Sequence, residues 1–321
     1  MPRWLRWALG VLAALALLGG LGAWQARRIT TAPGPLAEER AVVVPRGGAE
    51  GIARTLAAAG IIDDPRAFAL AAWWTQAGGR PLRAAEFSFP AHASLAEVLR
   101  ILREARPVQR RLTIPEGFTA RQILALLERT EGLVGEVPPI EEGALLPETY
   151  AFQWGDSRAG IVRRAEAAMT QALAEAWERR AEGLPLATPR EALVLAAIVE
   201  RETGVPEERP RIAAVFLNRL RRGMPLQSDP TVIYAVAQGG PFERAITRAD
   251  LERDSPFNTY RVRGLPPAPI AAPGREALIA VTRPASTDDL YFVATGDGGH
   301  AFARTLEEHN RNVARWRARG Q

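Results

Sequence analysis

The chain has 321 residues, of which 47% are hydrophobic and 24% charged, enough apolar material for a sizeable core shared between two folded units. It holds no cysteine, which excludes a disulfide framework, a cysteine-based zinc site and a thiol nucleophile. The net charge of +5 is concentrated: Arg3, Arg6, Arg27 and Arg28 flank one apolar run, and 41 bases less these four leaves 37 against 36 acids. The remainder carries no basic stripe of the kind that neutralises phosphates, so nucleic acid is not an expected partner.

From Trp7 to Trp24 the chain is uncharged, and ~18 residues at ~1.5 Å each reach ~27 Å, close to the thickness of a bilayer core. Tryptophan at both ends suits the two interfaces. The run is longer than the apolar region of a signal peptide and ends in Trp24-Gln25 with no small-x-small site, so it reads as an uncleaved spanning helix in residues 1–29. Two arginines on each side leave orientation open by charge alone.

After a Pro/Gly-interrupted link (residues 30–35), three stretches share one grammar of strand, turn and helix. They are Ala41–Val44 with Pro45-Arg46-Gly47 and then Ile52, Leu56 and Ile61; Phe87–Phe89 with Pro90 and then Leu95 to Leu102; and Leu112–Ile114 with Pro115-Glu116-Gly117 and then Ile123 to Leu127. Their recurrence predicts a LysM-like β-α subdomain over 38–141, although Pro-x-Gly after a strand is also an ordinary turn. A second domain over 142–321 is expected to open on ALLPETYAF (144–152) and to contain a long helix from Arg158 to about Arg180 and an apolar helix from Pro189 to Thr203. Residues 239–273 are dominated by proline, glycine and polar residues, a long irregular stretch of the kind that carries function. The fold class is thus α+β, with an N-terminal transmembrane helix, the LysM-like subdomain and a mixed α+β domain.

Seven consecutive apolar residues, Leu193 to Val199, predict a helix buried nearly all round, running into Glu200-Arg201-Glu202-Thr203-Gly204 with Gly204 as the expected stop. A carboxyl at the last turn meets the negative end of the helix dipole, and burial disfavours its ionised form; both raise its pKa, as a general acid near neutral pH requires. The same pattern fits a structural pairing of either glutamate with Arg201, Arg209 or Arg219, and periodicity does not choose between Glu200 and Glu202.

Beyond the helix Arg211–Arg221, the segment Pro225 to Tyr234 gathers Gln227, Asp229, Thr231 and Tyr234 at a turn entering a helix. Asp229 before Pro230 suits an N-cap, and equally a second carboxylate of a two-carboxylate hydrolase. Ser255–Tyr260 and Gly264–Ile270 offer amide, hydroxyl and aromatic groups on a proline-stiffened loop, the mixture that binds sugars. Leu290–Ala294 reads as a strand, followed by a tight turn at Gly298-Gly299-His300 into another. His92, His300 and His309 lie apart from one another, so neither metal nor cofactor is expected.

In order and spacing, EGALLPETYAF, LAAIVERETG, RIAAVFLNRLRRGMPLQSDPTVIYA, SPFNTYRVRGLPPAPIAAPG and LYFVATGDGGHAF closely resemble the endolytic murein transglycosylase (YceG-like) family over residues 142–313. Members of that family have one membrane helix, a LysM-like subdomain and an extracytoplasmic catalytic domain. They cut the β-1,4 bond between N-acetylmuramic acid and N-acetylglucosamine inside peptidoglycan strands, leaving 1,6-anhydro ends. The resemblance implies Glu200 as the catalyst with Glu202 in support, and Gln227, Asp229, Thr231, Tyr234, Asn258 and Tyr260 along the glycan groove. It implies a cell-membrane location, peptidoglycan strands as substrate, peptidoglycan synthases as partners and a part in ending nascent strands. The competing readings are a membrane-tethered glycan-binding adaptor without catalysis and a two-carboxylate muramidase using Glu200 and Asp229.

Overall fold

The computed structural model describes residues 3–75, 80–296 and 298–319. Its elements, in chain order, begin with α1 (Arg3–Thr31), β1 (Arg40–Val43), α2 (Ala49–Ala58), α3 (Pro65–Trp74), β2 (Glu86–Phe89) and α4 (Leu95–Glu104). There follow β3 (Arg110–Thr113), α5 (Ala120–Arg129), β4 (Thr149–Phe152), α6 (Arg158–Glu178), α7 (Pro189–Glu202) and α8 (Arg209–Arg221). The chain closes with α9 (Asp229–Ala237), α10 (Arg248–Leu251), α11 (Arg275–Thr282), β5 (Tyr291–Ala294), β6 (His300–Ala303) and α12 (Leu306–Arg319). The mixed α+β class is as expected. Two compact units divide the chain: Met1–Arg110 with Gln153–Gly155, and Arg111–Phe152 with Asp156–Gln321.

In the first unit the apolar stretch forms α1, and residues 9–31 are long and apolar enough to cross a membrane. Beyond it, β1 and β2 pair antiparallel, with Arg40 opposite Phe89 and Val43 opposite Glu86. Ile52, Leu56, Ile61, Phe68, Phe87, Phe89, Val98 and Leu102 fill a core beneath them, each at most 2% exposed. The first two strand-turn-helix stretches share this core. The third does not: Leu112, Ile114, Ile123 and Leu127 pack with Leu145, Tyr150, Phe152 and Ile161 of the second unit. The division into compact units falls at 110/111, ahead of the expected 141/142, with the apolar faces of β3 and α5 packed on β4 and α6. Local grammar reports how an element is built and is silent on which core receives it.

The second unit is organised around α7. Thr188 caps it by accepting from the Glu191 N–H at 3.2 Å, and Pro189 occupies N1, where its missing N–H costs nothing. Leu195 to Val199 are fully buried against α6, α8 and α11, each contributing about 1–3 kcal/mol by burial according to its size. The helix stops at Glu202, and the stop is Thr203 rather than Gly204: Thr203 turns extended (φ −139°, ψ 136°), and its hydroxyl accepts the Val205 N–H at 2.9 Å. Opposite strand ends bring Tyr291 to Ala303 and Ala294 to His300 in the hairpin β5–β6, as the sequence predicts.

The irregular stretch 239–273 contains only the four-residue α10, yet it is tightly bonded. Asn258, fully buried, donates to the carbonyls of Leu251 at 3.0 Å and Arg253 at 2.8 Å and accepts the Tyr260 N–H at 3.1 Å. Arg244 grips Asp250 with two hydrogen bonds, of 2.5 and 2.8 Å, holding that carboxyl far below the usual carboxylate range.

Candidate active site at the carboxy-terminal end of α7

Two residues apart on α7, Glu200 and Glu202 point about 200° away from each other, and their surroundings differ accordingly. The Glu200 side chain is 3% exposed. Its Oε1 accepts from Arg209 Nη2 at 2.9 Å, and its Oε2 accepts the Gly274 N–H at the start of α11 at 2.8 Å. Arg209 Nη2 also donates to Glu116 Oε2 at 3.2 Å, so one buried guanidinium is shared by two carboxylates. Glu116, in the Pro115-Glu116-Gly117 turn, is held above the usual glutamate range by burial first and by the Glu200 charge second. A Cβ at position 274 would lie 2.0 Å from Glu116 Oε1, so only glycine lets that carboxyl reach Arg209 as it does.

Glu202 faces the loop between α8 and α9. Ser228 Oγ donates to Glu202 Oε1 at 2.5 Å, and neighbouring atoms crowd the half-buried carboxyl enough to push its pKa up to about 7. Burial is the main cause, the Asp229 charge raises it further, and Ser228 and Arg219 pull it back. Asp229 accepts from the Tyr260 hydroxyl at 2.7 Å. Burial, then Asp229, lifts that phenol beyond its usual range, so it stays a neutral donor.

The loop that carries these groups is stitched in place. Gln227 N donates to Thr259 O at 3.1 Å, Ser228 N to Thr259 Oγ1 at 3.0 Å and Thr231 Oγ1 to Ser228 O at 2.6 Å. Arg219, 7% exposed, donates to the Leu226 carbonyl at 2.7 Å from behind. Gln227 adopts φ +51°, a strained choice for a non-glycine residue that places the exposed Gln227 beside Ser228.

The capping role weighed for Asp229 is not found. The N-cap of α9 is Ser228, Asp229 is the first helical residue, and no side chain caps the helix: Ser228 is turned to Glu202, and Asp229 accepts from Tyr260. Of the other expected groove residues, Thr231 and Asn258 are fully buried and their polar atoms are engaged in holding the loop. Tyr234 is half-buried; its hydroxyl donates to Glu142 Oε2 at 3.1 Å while its ring lies 4.9 Å from that of Phe257. Glu142 in turn accepts the Ala120 N–H at 2.7 Å, so this tyrosine braces α9 against α5.

The structure therefore brings together Glu202, Ser228, Asp229, Tyr260 and Gln227, and separately Glu200, Arg209, Glu116 and Gly274. Ser228 escaped the sequence reading although it sits between two residues singled out. Glu116 escaped because its turn looked structural; the signal was the acid at the middle of a Pro-x-Gly that elsewhere carries Arg46.

Residues 42–315 match the YceG-like family. The chain is 38% identical over 170 residues, 53% of its length, to an endolytic murein transglycosylase of Bacillus subtilis, covering 46% of that protein. It is 31% identical over 252 residues, 65% of its length, to an endolytic murein transglycosylase of Streptococcus pneumoniae, covering 45% of that protein. It thus spans about half the length of the curated relatives it matches. A crystal structure of a yceG-like protein from Listeria monocytogenes aligns with 85% of the chain and 98% of its own, at a TM-score of 0.54 and 28% identity. The chain belongs to the YceG-like family.

Proposed function

We propose that this protein is an endolytic murein transglycosylase that cuts inside peptidoglycan strands at the β-1,4 bond after N-acetylmuramic acid, with Glu202 as the single acid and base. The observation that carries the assignment is a partly buried glutamate at the end of α7 that accepts from Ser228 and lies beside a tyrosine-bound aspartate, its pKa raised by burial, in a chain of this family. Protonated Glu202 gives its proton to the glycosidic oxygen as the C1–O bond breaks. The resulting carboxylate then takes the proton of the same sugar's C6 hydroxyl as C1–O6 forms, closing the 1,6-anhydro ring and restoring the acid. Asp229, Tyr260 and Gln227 bind hydroxyl and acetamido groups around that bond.

Glu200 takes the structural part. Its carboxyl accepts from Arg209 and from the Gly274 N–H, tying the end of α7 to the starts of α8 and α11. The resemblance implies the other order, Glu200 as catalyst and Glu202 in support, and variants of the two glutamates tell the orders apart. Digesting purified peptidoglycan strands with the wild-type chain and with its Glu202→Gln and Glu200→Gln variants tests the reading by mass spectrometry of the fragments. Anhydro-ended internal fragments absent only with Glu202→Gln support it. Reducing ends would point to hydrolysis, and retained cleavage by Glu202→Gln would remove Glu202 from the chemistry.

The remaining roles follow from the substrate. Peptidoglycan lies outside the cytoplasmic membrane, so α1 anchors the chain there by one crossing with both units on the extracytoplasmic side. An anchored endolytic enzyme reaches strands as they emerge, which suits ending nascent strands beside peptidoglycan synthases. The order β1-α2-α3-β2 with antiparallel strands supports a LysM-like subdomain, here ending at residue 110. Release of the chain from membranes when residues 1–29 are removed checks the anchor.

A further inference from the structure

Helix α3 has two unlike faces. Phe68 and Ala72 are buried in the core of the first unit, whereas Leu70, Trp73 and Trp74 are 64%, 66% and 77% exposed. Positions 70, 73 and 74 are related by three and four residues, so the three side chains share one face, and the two indole rings meet edge-on with centroids 6.4 Å apart. Single exposed apolar residues are ordinary in any protein. A leucine and two tryptophans on one ten-residue helix without an acidic residue form a patch, and such patches mark binding surfaces. The exposed Arg66 precedes Leu70 by one turn on the same face.

What covers this face follows from how α1 joins the unit. The join is short and fastened: Gly34 N donates to His92 O at 3.2 Å, His92 N donates to Leu36 O at 2.7 Å, and Leu36 is buried in the core. Gly34 is packed so closely that a Cβ there would lie 2.3 Å from the Ala93 carbonyl oxygen. Ile29 of α1, Ala67 of α3 and Leu95 of α4 line one cleft. Trp24 marks the interface end of the apolar run, and Ile29 lies five residues on, ~7.5 Å along the helix, about the depth of the headgroup layer. Leu70 and Trp74 follow Ala67 by about one and two turns. The exposed face of α3 therefore lies within reach of the lipid surface from which α1 emerges.

Resting on the reading of α1 as a membrane anchor, we propose that the Leu70-Trp73-Trp74 face of α3 lies in the lipid interface as a second membrane contact, fixing how the first unit stands on the bilayer. Tryptophan is the residue of that interface, because its ring is apolar and its N–H needs a polar partner, while Arg66 meets anionic headgroups. A rigid join plus a lipid-seated helix turns a one-point tether into a two-point mount.

The chain has no cysteine, so one introduced cysteine carries one label. The full-length Leu70→Cys chain, with an environment-sensitive fluorophore, is reconstituted into vesicles containing phosphatidylglycerol and compared with Arg54→Cys, an exposed position on α2. The expected result is several-fold stronger quenching of the Leu70 label by nitroxide lipids and weaker quenching by aqueous iodide than at Arg54. Adding Trp73→Ser and Trp74→Ser is expected to bring the two labels together, with circular dichroism reporting an intact fold. If both labels are equally open to iodide while the chain floats with the vesicles, the contact does not exist although the anchor does. Shielding from iodide without lipid quenching, together with disulfide formation between unlabelled Leu70→Cys chains, means a second copy covers the face and overturns the proposal. A chain that fails to float removes the anchor and this inference with it.

Discussion

Ser228 Oγ stands 2.5 Å from Glu202 Oε1, and the hydroxyl points at a carboxyl instead of capping the helix that Ser228 begins. That donor favours the ionised carboxylate, whereas burial and Asp229 favour the protonated acid, and the balance sits at about 7. Two substitutions move it in opposite directions. Ser228→Ala raises the Glu202 pKa and shifts the alkaline limb of activity to higher pH; Asp229→Asn lowers it and shifts that limb down. Profiles of anhydro-product formation against pH check both signs, and shifts in the same direction would contradict the assignment.

Glu202→Gln is expected to lower the rate of bond cleavage by about 10²–10⁴ while leaving the fold intact. Its stability effect has a defined sign. The folded pKa, about 7, exceeds the ordinary 4.5, so the native state binds the proton more tightly and loses stability as pH rises from about 4.5 through 7. The glutamine variant escapes that loss, and thermal unfolding should show it more stable than wild type at pH 8 by up to about 2 kcal/mol, with little difference at pH 4.

Glu200→Gln should do the opposite, costing stability first. It leaves the buried Arg209 with Glu116, whose side chain is 44% exposed, as its one carboxylate partner. Breaking a buried pair from one side costs about 3 kcal/mol. Denaturant titration checks this, and an unchanged midpoint would mean that Arg209 and Glu200 do not hold the end of α7.

Gly143 has φ +76°, and a Cβ there would lie 2.6 Å from the Pro269 Cβ. Gly143→Ala combines backbone strain with a collision against a rigid ring, and about 2–4 kcal/mol of destabilisation is expected by denaturant titration.

Asn258→Ala removes four hydrogen bonds to the backbone of Asp250, Leu251, Arg253 and Tyr260 at a fully buried position. A loss of about 3 kcal/mol is expected from the carbonyls and N–H left unpaired. Hydrogen exchange should show residues 250–260 opening before the core of α7.

How much of this was legible depended on range. The apolar run of α7, the hairpin β5–β6 and the spanning length of α1 are local patterns, and they appear where the sequence puts them. Roles that rest on distant partners were not local. Which glutamate is buried in a salt bridge is decided by Arg209, Glu116 and Gly274, and the raised pKa of Glu202 by its burial and by Asp229, against Ser228. Periodicity left Glu200 and Glu202 equivalent because both have apolar residues one turn back. Thr231 and Asn258 resembled sugar-binding groups for a sound reason, since polar side chains on an irregular loop serve substrate or the loop itself, and here the loop needs them. Asp229 had the sequence of a cap and became something else because Tyr260, 31 residues later, arrives to bond it.

The bonds at the end of α7 also set an order of events. Glu200 is joined to Gly274 across 74 residues, and Arg209, which holds Glu200, is joined to Glu116 across 93. Closing loops of that size costs entropy that local contacts cannot repay, so the end of α7 is completed late in folding. Until the segment around Gly274 is in place, the end of α7 lacks one of the two partners that hold the Glu200 carboxyl.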